Sequence, residues 1–135
     1  MTPRTILVVD DSELVHKMHG MTLRKYAGCQ ILHAYNGAEA LDVLNLHPEV
    51  ELVLLDVNMP VMDGLSFLHA RSEAGLFLDV PVIMISTEAT EDDVRRGLEA
   101  GATAYLAKPF KPPELLAVID SLSAPAASPE TSPEG

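Results

Sequence analysis

Three acidic residues stand where two apolar runs of the chain end. Asp10 and Asp11 follow the run ILVV at residues 6–9, and Asp56 closes the run ELVLLD at residues 51–56. Like charges that are brought together repel one another unless a cation lies among them. Carboxylate oxygens that leave room for water are the ligands that suit Mg²⁺. If the fold brings these three carboxylates together, they form a candidate magnesium site.

Polar residues also follow two further apolar runs. Ser86 and Thr87 come at the end of VPVIMIS (80–86), and Lys108 follows AYLA (104–107). Each residue has a simpler explanation when it is taken alone. An aspartate is often a helix N-cap, a serine often satisfies a turn, and a lysine is usually a solvated charge. A functional interpretation therefore requires that all of these residues share one edge of the fold.

The elements that must position them alternate along the chain. Five apolar, mostly β-branched runs predict strands at 5–9, 29–35, 51–56, 80–86 and 104–107. Between and after them, apolar residues spaced three or four apart predict amphipathic helices. These residues are Leu14, Met18 and Met21; Ala38, Leu41 and Leu44; Leu65 and Leu68; Val94 and Leu98; and Leu115, Ile119 and Leu122.

This alternation predicts a single α/β domain with a doubly wound, five-stranded parallel sheet and right-handed crossovers. The mixed second run indicates an edge strand, whereas the first, third and fourth runs are apolar enough to be covered on both faces. We expect Ser12 and Asn36 to cap helices 1 and 2, Gly28 to end helix 1, and Gly101 to end helix 4. Sites in such sheets form beyond the carboxyl ends of the strands. The three aspartates, Ser86, Thr87 and Lys108 are therefore predicted to lie along one edge.

The composition limits the class of protein. The 135 residues include 20 acidic and 9 basic ones, for a net charge of −11. This charge argues against direct nucleic-acid binding or anionic-membrane binding through the whole surface, although many acids can also serve solubility alone. The single cysteine, Cys29, excludes an internal disulfide, and no apolar run suits a signal peptide or a membrane span, so we expect a cytoplasmic location. We expect residues 1–123 to form the domain and the Pro/Ser/Ala-rich segment 124–135 to be a disordered tail or the start of a linker.

Two histidines lie close together in helix 1. His16 and His19 in the stretch HKMH are three residues apart, which could suggest a metal pair or a phosphohistidine. No third ligand is evident nearby in the sequence. We therefore expect solvated or partner-facing histidines.

Taken together, four segments resemble the receiver domain of two-component response regulators. They are VVDDS, LLDVNMPVMDG, PVIMIS and AYLAKPF, and the resemblance runs from residue 4 to about residue 123. It implies a flavodoxin-like (βα)5 fold with strand order 2-1-3-4-5. It also implies a cis peptide bond between Lys108 and Pro109.

The resemblance further implies roles for matching residues. Asp56 corresponds to the phosphoacceptor. Asp11 and Asp56 correspond to the side-chain ligands of Mg²⁺, with Asp10 helping mainly through metal-bound water and the backbone carbonyl of Asn58 as a further ligand. Lys108 corresponds to the lysine that contacts the acyl phosphate.

Four positions are implied to act after phosphorylation. Ser86 and Tyr105 correspond to the switch hydroxyl and the switch aromatic residue. Asn58 and Glu88 stand where polar side chains can orient the water that removes the phosphoryl group.

The implied function is a phosphorylation-controlled signalling module. A sensor histidine kinase or histidine phosphotransfer protein would phosphorylate Asp56, and the signal would leave through helix 4, strand 5 and helix 5 to a downstream target protein. No metabolic activity is expected beyond self-phosphorylation from a phosphodonor and autodephosphorylation. We expect a single-domain, chemotaxis-like regulator. The alternatives are a receiver taken from a longer regulator, a phosphorelay intermediate, and a flavin-binding protein of similar topology.

Overall fold

The computed structural model describes residues 3–123. Five parallel strands alternate with five helices: β1 (Thr5–Val9), α1 (Glu13–Leu23), β2 (Gln30–Ala34), α2 (Gly37–Leu46), β3 (Leu52–Asp56), α3 (Gly64–Ala74), β4 (Val82–Ser86), α4 (Glu91–Glu99), β5 (Ala104–Ala107) and α5 (Pro112–Ser123). The strand order is β2-β1-β3-β4-β5, and every neighbouring pair is parallel. The predicted doubly wound fold is confirmed. The segment 124–135, predicted to be disordered, lies outside the described residues.

Apolar side chains cover both faces of the sheet. On one face, Phe67 and Leu68 of α3 pack against Leu7, Val53 and other buried residues of the strands. On the opposite face, Leu115 and Ile119 of α5 belong to a second cluster with residues of the same strands. Because successive strand residues point to opposite faces, one apolar strand supplies both cores. Burial of each large side chain contributes about 1.5–3 kcal/mol, so these layers hold the strand ends in fixed positions.

Side-chain caps fix where the first two helices begin. Ser12 Oγ accepts a hydrogen bond from the Val15 amide at 3.3 Å, and Asn36 Oδ1 accepts one from the Glu39 amide at 2.9 Å. Both predicted N-caps are confirmed. Since Asp10 and Asp11 lie between the end of β1 and the Ser12 cap, this short connection keeps both acids at the sheet edge.

Two expectations about α1 are wrong. The helix ends at Leu23 with Arg24 as its C-cap, so Gly28, at φ 78°, belongs to the turn before β2 and does not end the helix. The apolar set Leu14, Met18 and Met21 is 66%, 56% and 67% exposed and does not face the core. The buried residues of α1 are His16, His19 and Leu23, which also have helical spacing. Residues spaced three and four apart occur on two faces of this helix. The face with the two histidines is the one that packs on the sheet.

No helix within residues 3–123 combines the length and the apolar character that crossing a membrane requires.

Candidate functional site

The carboxyl ends of the strands bring the predicted site residues to one edge of the sheet. Asp10 follows β1, Asp56 ends β3, Ser86 ends β4 and Lys108 follows β5. The register pairs Val9 with Leu55, Asp56 with Ile85 and Ser86 with Ala107, so these positions lie at nearly the same height. The sheet topology therefore places these side chains along a single edge.

The three carboxylates do converge. One ligand oxygen from each of Asp10, Asp11 and Asp56 lies within 4.8 Å of the others. The Asp10 side chain is 5% exposed and that of Asp56 is 11% exposed, whereas Asp11 is exposed. Two buried oxygen donors and one that opens to water fit a hard divalent cation that keeps part of its hydration shell. The donor set therefore fits Mg²⁺.

Lys108 closes the other side of this cluster. Its Nζ lies 3.3 Å from Asp10 Oδ2 and 3.5 Å from Asp56 Oδ1. The peptide bond between Lys108 and Pro109 is cis, as predicted. The backbone amide of Lys108 donates to the Ser86 carbonyl at 2.8 Å, which ties the start of the β5–α5 loop to the end of β4. One ammonium group therefore bridges two of the three acids.

The electrostatics of Asp56 follow from this setting. Burial raises the pKa of the Asp56 carboxyl above its usual value, and the charge of Asp10 raises it further, while Lys108 acts in the opposite direction. Withdrawal from water is the larger cause, because a carboxylate loses hydration that one lysine does not fully replace. Three carboxylates share one ammonium here, so the site is short of positive charge.

Asn58 in the β3–α3 loop and Gly64 at the start of α3 complete the surroundings of Asp56. Asn58 is exposed, two residues beyond the strand. Gly64, the first residue of α3, donates from its amide to the Val57 carbonyl at 2.8 Å. A β-carbon at Gly64 would collide with the backbone carbonyl oxygen of Asp56 and lie 3.1 Å from Val57 Cα, so only glycine lets the helix approach this closely. This close backbone approach depends on tertiary structure.

The expectation that His16 is solvated or faces a partner is wrong. His16 is 2% exposed, and its Nε2 lies 2.8 Å from the Asp10 carbonyl oxygen. Since a carbonyl only accepts, this nitrogen donates and holds the backbone of Asp10. Its Nδ1 lies 2.7 Å from Nδ1 of His33 on β2. His16 therefore holds the backbone of one site residue, Asp10, from helix α1. The spacing of the histidines in the sequence did not indicate this role.

His19 is also buried, contrary to expectation. Its side chain is 5% exposed and stacks on Phe110 with ring centroids 6.1 Å apart and an interplanar angle of 13°. Burial lowers the pKa of the His19 imidazole to about 4, partly offset by Asp10. At neutral pH this ring is therefore uncharged.

A chain of hydrogen bonds joins Ser86 to Tyr105. Ser86 is 1% exposed, and its Oγ accepts from the Glu88 amide at 3.0 Å. The carbonyl of the same Glu88 accepts from the Tyr105 hydroxyl. The backbone of Glu88 thus links the two predicted switch residues, while its side chain is among the exposed ones.

The Tyr105 ring packs between β5 and α4. It lies against Gly97, where a β-carbon would come within 3.1 Å of two ring carbons and 2.7 Å of Met84 Sδ. Burial raises the pKa of the Tyr105 phenol, so the hydroxyl remains a donor. Gly97 carries no signal in the sequence, because its use depends on a ring that is eight positions further along the chain.

Comparison with known proteins adds a family match. Residues 6–120 match the family model described as the response regulator receiver domain. Among curated proteins, the chain is 36% identical over 107 residues to a chemotaxis protein CheY homolog of Campylobacter jejuni, covering 79% of this chain and 82% of that protein. It is also 36% identical over 122 residues to the phosphate regulon transcriptional regulatory protein PhoB of Pseudomonas aeruginosa, covering 90% of this chain and 52% of that protein.

Solved structures agree with the fold. The CheX-CheY-BeF3-Mg+2 complex from Borrelia burgdorferi aligns with a TM-score of 0.84 at 30% identity, covering 92% of each chain. Chemotaxis response regulator CheY4 of Vibrio cholerae aligns with a TM-score of 0.80 at 34% identity, covering 90% of this chain and 99% of that one.

Proposed function

Because the chain belongs to the response regulator receiver domain family, we propose that Asp56 accepts a phosphoryl group from a histidine kinase or a histidine phosphotransfer protein. Phosphorylation-based signalling is general to this family. One observation carries the assignment to this residue. Asp10 and Asp56 both belong to the three-carboxylate cluster and both lie beside Lys108, at 3.3 Å and 3.5 Å, but Asp56 is the one that ends the central strand β3.

The transfer needs alignment and charge neutralisation more than covalent activation. An Asp56 oxygen attacks the phosphorus of a phosphohistidine, the new O–P bond forms as the P–N bond breaks, and the imidazole leaves with the electron pair. Lys108 provides positive charge beside the attacked group. The rigid strand end fixes the direction of attack, since β3 is central and buried on both faces.

Mg²⁺ is the proposed cofactor, held by Asp11 and Asp56 directly, by Asp10 mainly through water, and by the Asn58 carbonyl. When bound, the ion offsets the repulsion between the carboxylates and the incoming phosphoryl group. The shortage of positive charge around Asp56 supports this assignment. The exposure of Asp11 and Asn58 is compatible with retained water ligands.

The proposed output starts at Ser86. Once Asp56 carries a phosphoryl group, the Ser86 hydroxyl would donate to a phosphoryl oxygen and move the Glu88 backbone with it. Because Glu88 also holds the Tyr105 hydroxyl, this movement would reposition the ring on α4. The changed face of α4, β5 and α5 would then be read by a downstream target protein.

Removal of the phosphoryl group is proposed to involve Asn58 and Glu88. Both are exposed and follow the two strands that end beside the site. Their polar side chains would orient the attacking water.

The direct test of this function is labelling with acetyl phosphate, read by intact mass. We expect one phosphoryl group per chain in the presence of Mg²⁺ and none after chelation with EDTA. Labelling that persists at the same level without a divalent cation would contradict the proposed role of the metal. A phosphorelay role would appear as transfer from the labelled chain to a histidine phosphotransfer domain.

A further inference from the structure

A cavity lies beside the carboxylate site, between α1 and the β5–α5 loop. Its volume is about 330 Å³, within the range of roughly 300–1,000 Å³ that is typical of small-molecule sites. The lining is mostly apolar and includes Val15, Met18, Phe110 and Pro112. The phosphotransfer chemistry proposed above does not use this cavity.

The one imidazole ring in the lining is that of His19. His19 is 95% buried, since its exposure is 5%, and none of the described residues forms a hydrogen bond with its ring. Within residues 3–123, Arg71 Nε is the one fully buried side-chain nitrogen or oxygen without a partner, so the His19 nitrogens remain accessible from the cavity. A ligand that offers a hydrogen bond can therefore pair with the ring directly. His19 lines the cavity, so a molecule within it can reach the ring.

The chemistry of His19 defines what would bind. A neutral imidazole has one nitrogen that donates and one that accepts. A hydroxyl group both donates and accepts, so it pairs with whichever nitrogen faces the cavity. The flat surfaces of Phe110 and the apolar walls favour an aromatic ring.

The cavity also reaches the phosphorylation site. Lys108 lines it, while the ammonium of the same lysine lies 3.3 Å from Asp10. The aliphatic part of Lys108 is therefore available to a bound ring, and its charged end remains with the acids. Thr87, which follows Ser86, lies on the same wall.

We infer that this cavity is a binding site for a small hydroxylated aromatic compound, whose ring packs between α1 and Phe110 and whose hydroxyl forms a hydrogen bond with His19. The inference does not rest on phosphorylation of Asp56. It can be tested on the unphosphorylated chain.

The test is an NMR titration of the chain with p-cresol, and with toluene, which has the same ring and methyl group without the hydroxyl. We expect p-cresol to shift the ring signals of His19 and Phe110 and to bind about fivefold more tightly than toluene, the value of one modest hydrogen bond. Equal affinities, or shifts that avoid the cavity, would overturn the inference.

Two variants sharpen this result. His19→Phe keeps an aromatic ring but removes the hydrogen bond, so p-cresol and toluene should then bind equally well. Val15→Phe should fill the cavity and abolish binding of both compounds, whereas Leu14→Phe, on the exposed face of the same helix, should not. A preference for p-cresol that survives in His19→Phe, or binding that survives in Val15→Phe, would contradict the site. Thermal unfolding of each variant checks that it is folded.

Discussion

The ring of Tyr105 packs so closely on Gly97 that a β-carbon at position 97 would lie 3.1 Å from two of its carbons. A contact this short forces the ring, the buried Met84 side chain, or both to shift. The hydrogen bond from the Tyr105 hydroxyl to the Glu88 carbonyl depends on where the ring lies. Gly97 therefore helps to set the position of the proposed switch residue.

The first prediction is that Gly97→Ala displaces the Tyr105 ring and destabilises the fold. Overpacking costs about 1–3 kcal/mol, and the higher helix propensity of alanine offsets about 1 kcal/mol of it. Urea unfolding and the NMR signals of the Tyr105 ring measure both effects.

Gly20→Ala is the matched control, because nothing lies within 4 Å of a β-carbon at that position of α1. This variant should be more stable than wild type by roughly 0.5–1 kcal/mol. If both variants gain stability and the Tyr105 signals stay unchanged, the packing role of Gly97 is wrong.

The second prediction concerns the link between Ser86 and Tyr105. In wild type, beryllofluoride with Mg²⁺ should shift the backbone signals of residues 104–107 and of α4. In Ser86→Ala, the hydroxyl that accepts from the Glu88 amide is missing, so these shifts should be smaller while Mg²⁺ binding is nearly unchanged. Coupling energies between sites are typically about 1–3 kcal/mol, which such spectra resolve. Shifts as large in the variant as in wild type would show that Ser86 does not link the site to Tyr105.

The third prediction concerns the lifetime of the phosphorylated state. Exchange of both Asn58 and Glu88 for leucine should slow release of inorganic phosphate, because neither position can then orient water. Both side chains are exposed, so the folded state should tolerate the change. Release at the wild-type rate from the double variant would show that these side chains do not act in hydrolysis.

Much of this fold was predictable from the sequence because strands and helices carry different apolar periods. The apolar runs ending at Val9, Asp56 and Ser86 all became strands with those same ends. Since parallel strands share one carboxyl edge, the meeting of Asp10, Asp56 and Lys108 followed from topology alone.

Contacts that depend on tertiary structure were not predictable in the same way. The spacing of Leu14, Met18 and Met21 suggested a core face, but the helix packs through His16, His19 and Leu23. Histidine is a polar residue and is not expected in a core from its type alone. The fold supplies the Asp10 carbonyl that accepts from His16 and the Phe110 ring that stacks on His19. The uses of Gly64 and Gly97 likewise depend on close approaches between elements that residue spacing does not show.

The fourth prediction concerns the pH dependence of stability. The pKa of His19 falls from 6.5 to about 4 on folding. Between these values the unfolded chain binds a proton that the folded chain does not, so this ring makes stability rise with pH and its contribution is complete above pH 6.5. The contribution is about 3 kcal/mol, from about 1.36 kcal/mol per unit of pKa.

Comparison of wild type with His19→Phe isolates this contribution, since the other titrating groups are common to both. Unfolding free energies measured between pH 4 and 7 should rise more steeply for wild type. Parallel curves would show that His19 is protonated equally in the folded and unfolded states.

Intact-mass analysis of Asp56→Asn decides whether Asp56 is the phosphoacceptor. Wild type and the variant are incubated with acetyl phosphate and Mg²⁺, and Asp11→Asn serves as a matched change within the same cluster. We expect one phosphoryl group on wild type, none on Asp56→Asn, and slower labelling of Asp11→Asn at low Mg²⁺ that recovers as Mg²⁺ is raised. Labelling of Asp56→Asn at a level near wild type would contradict the assignment.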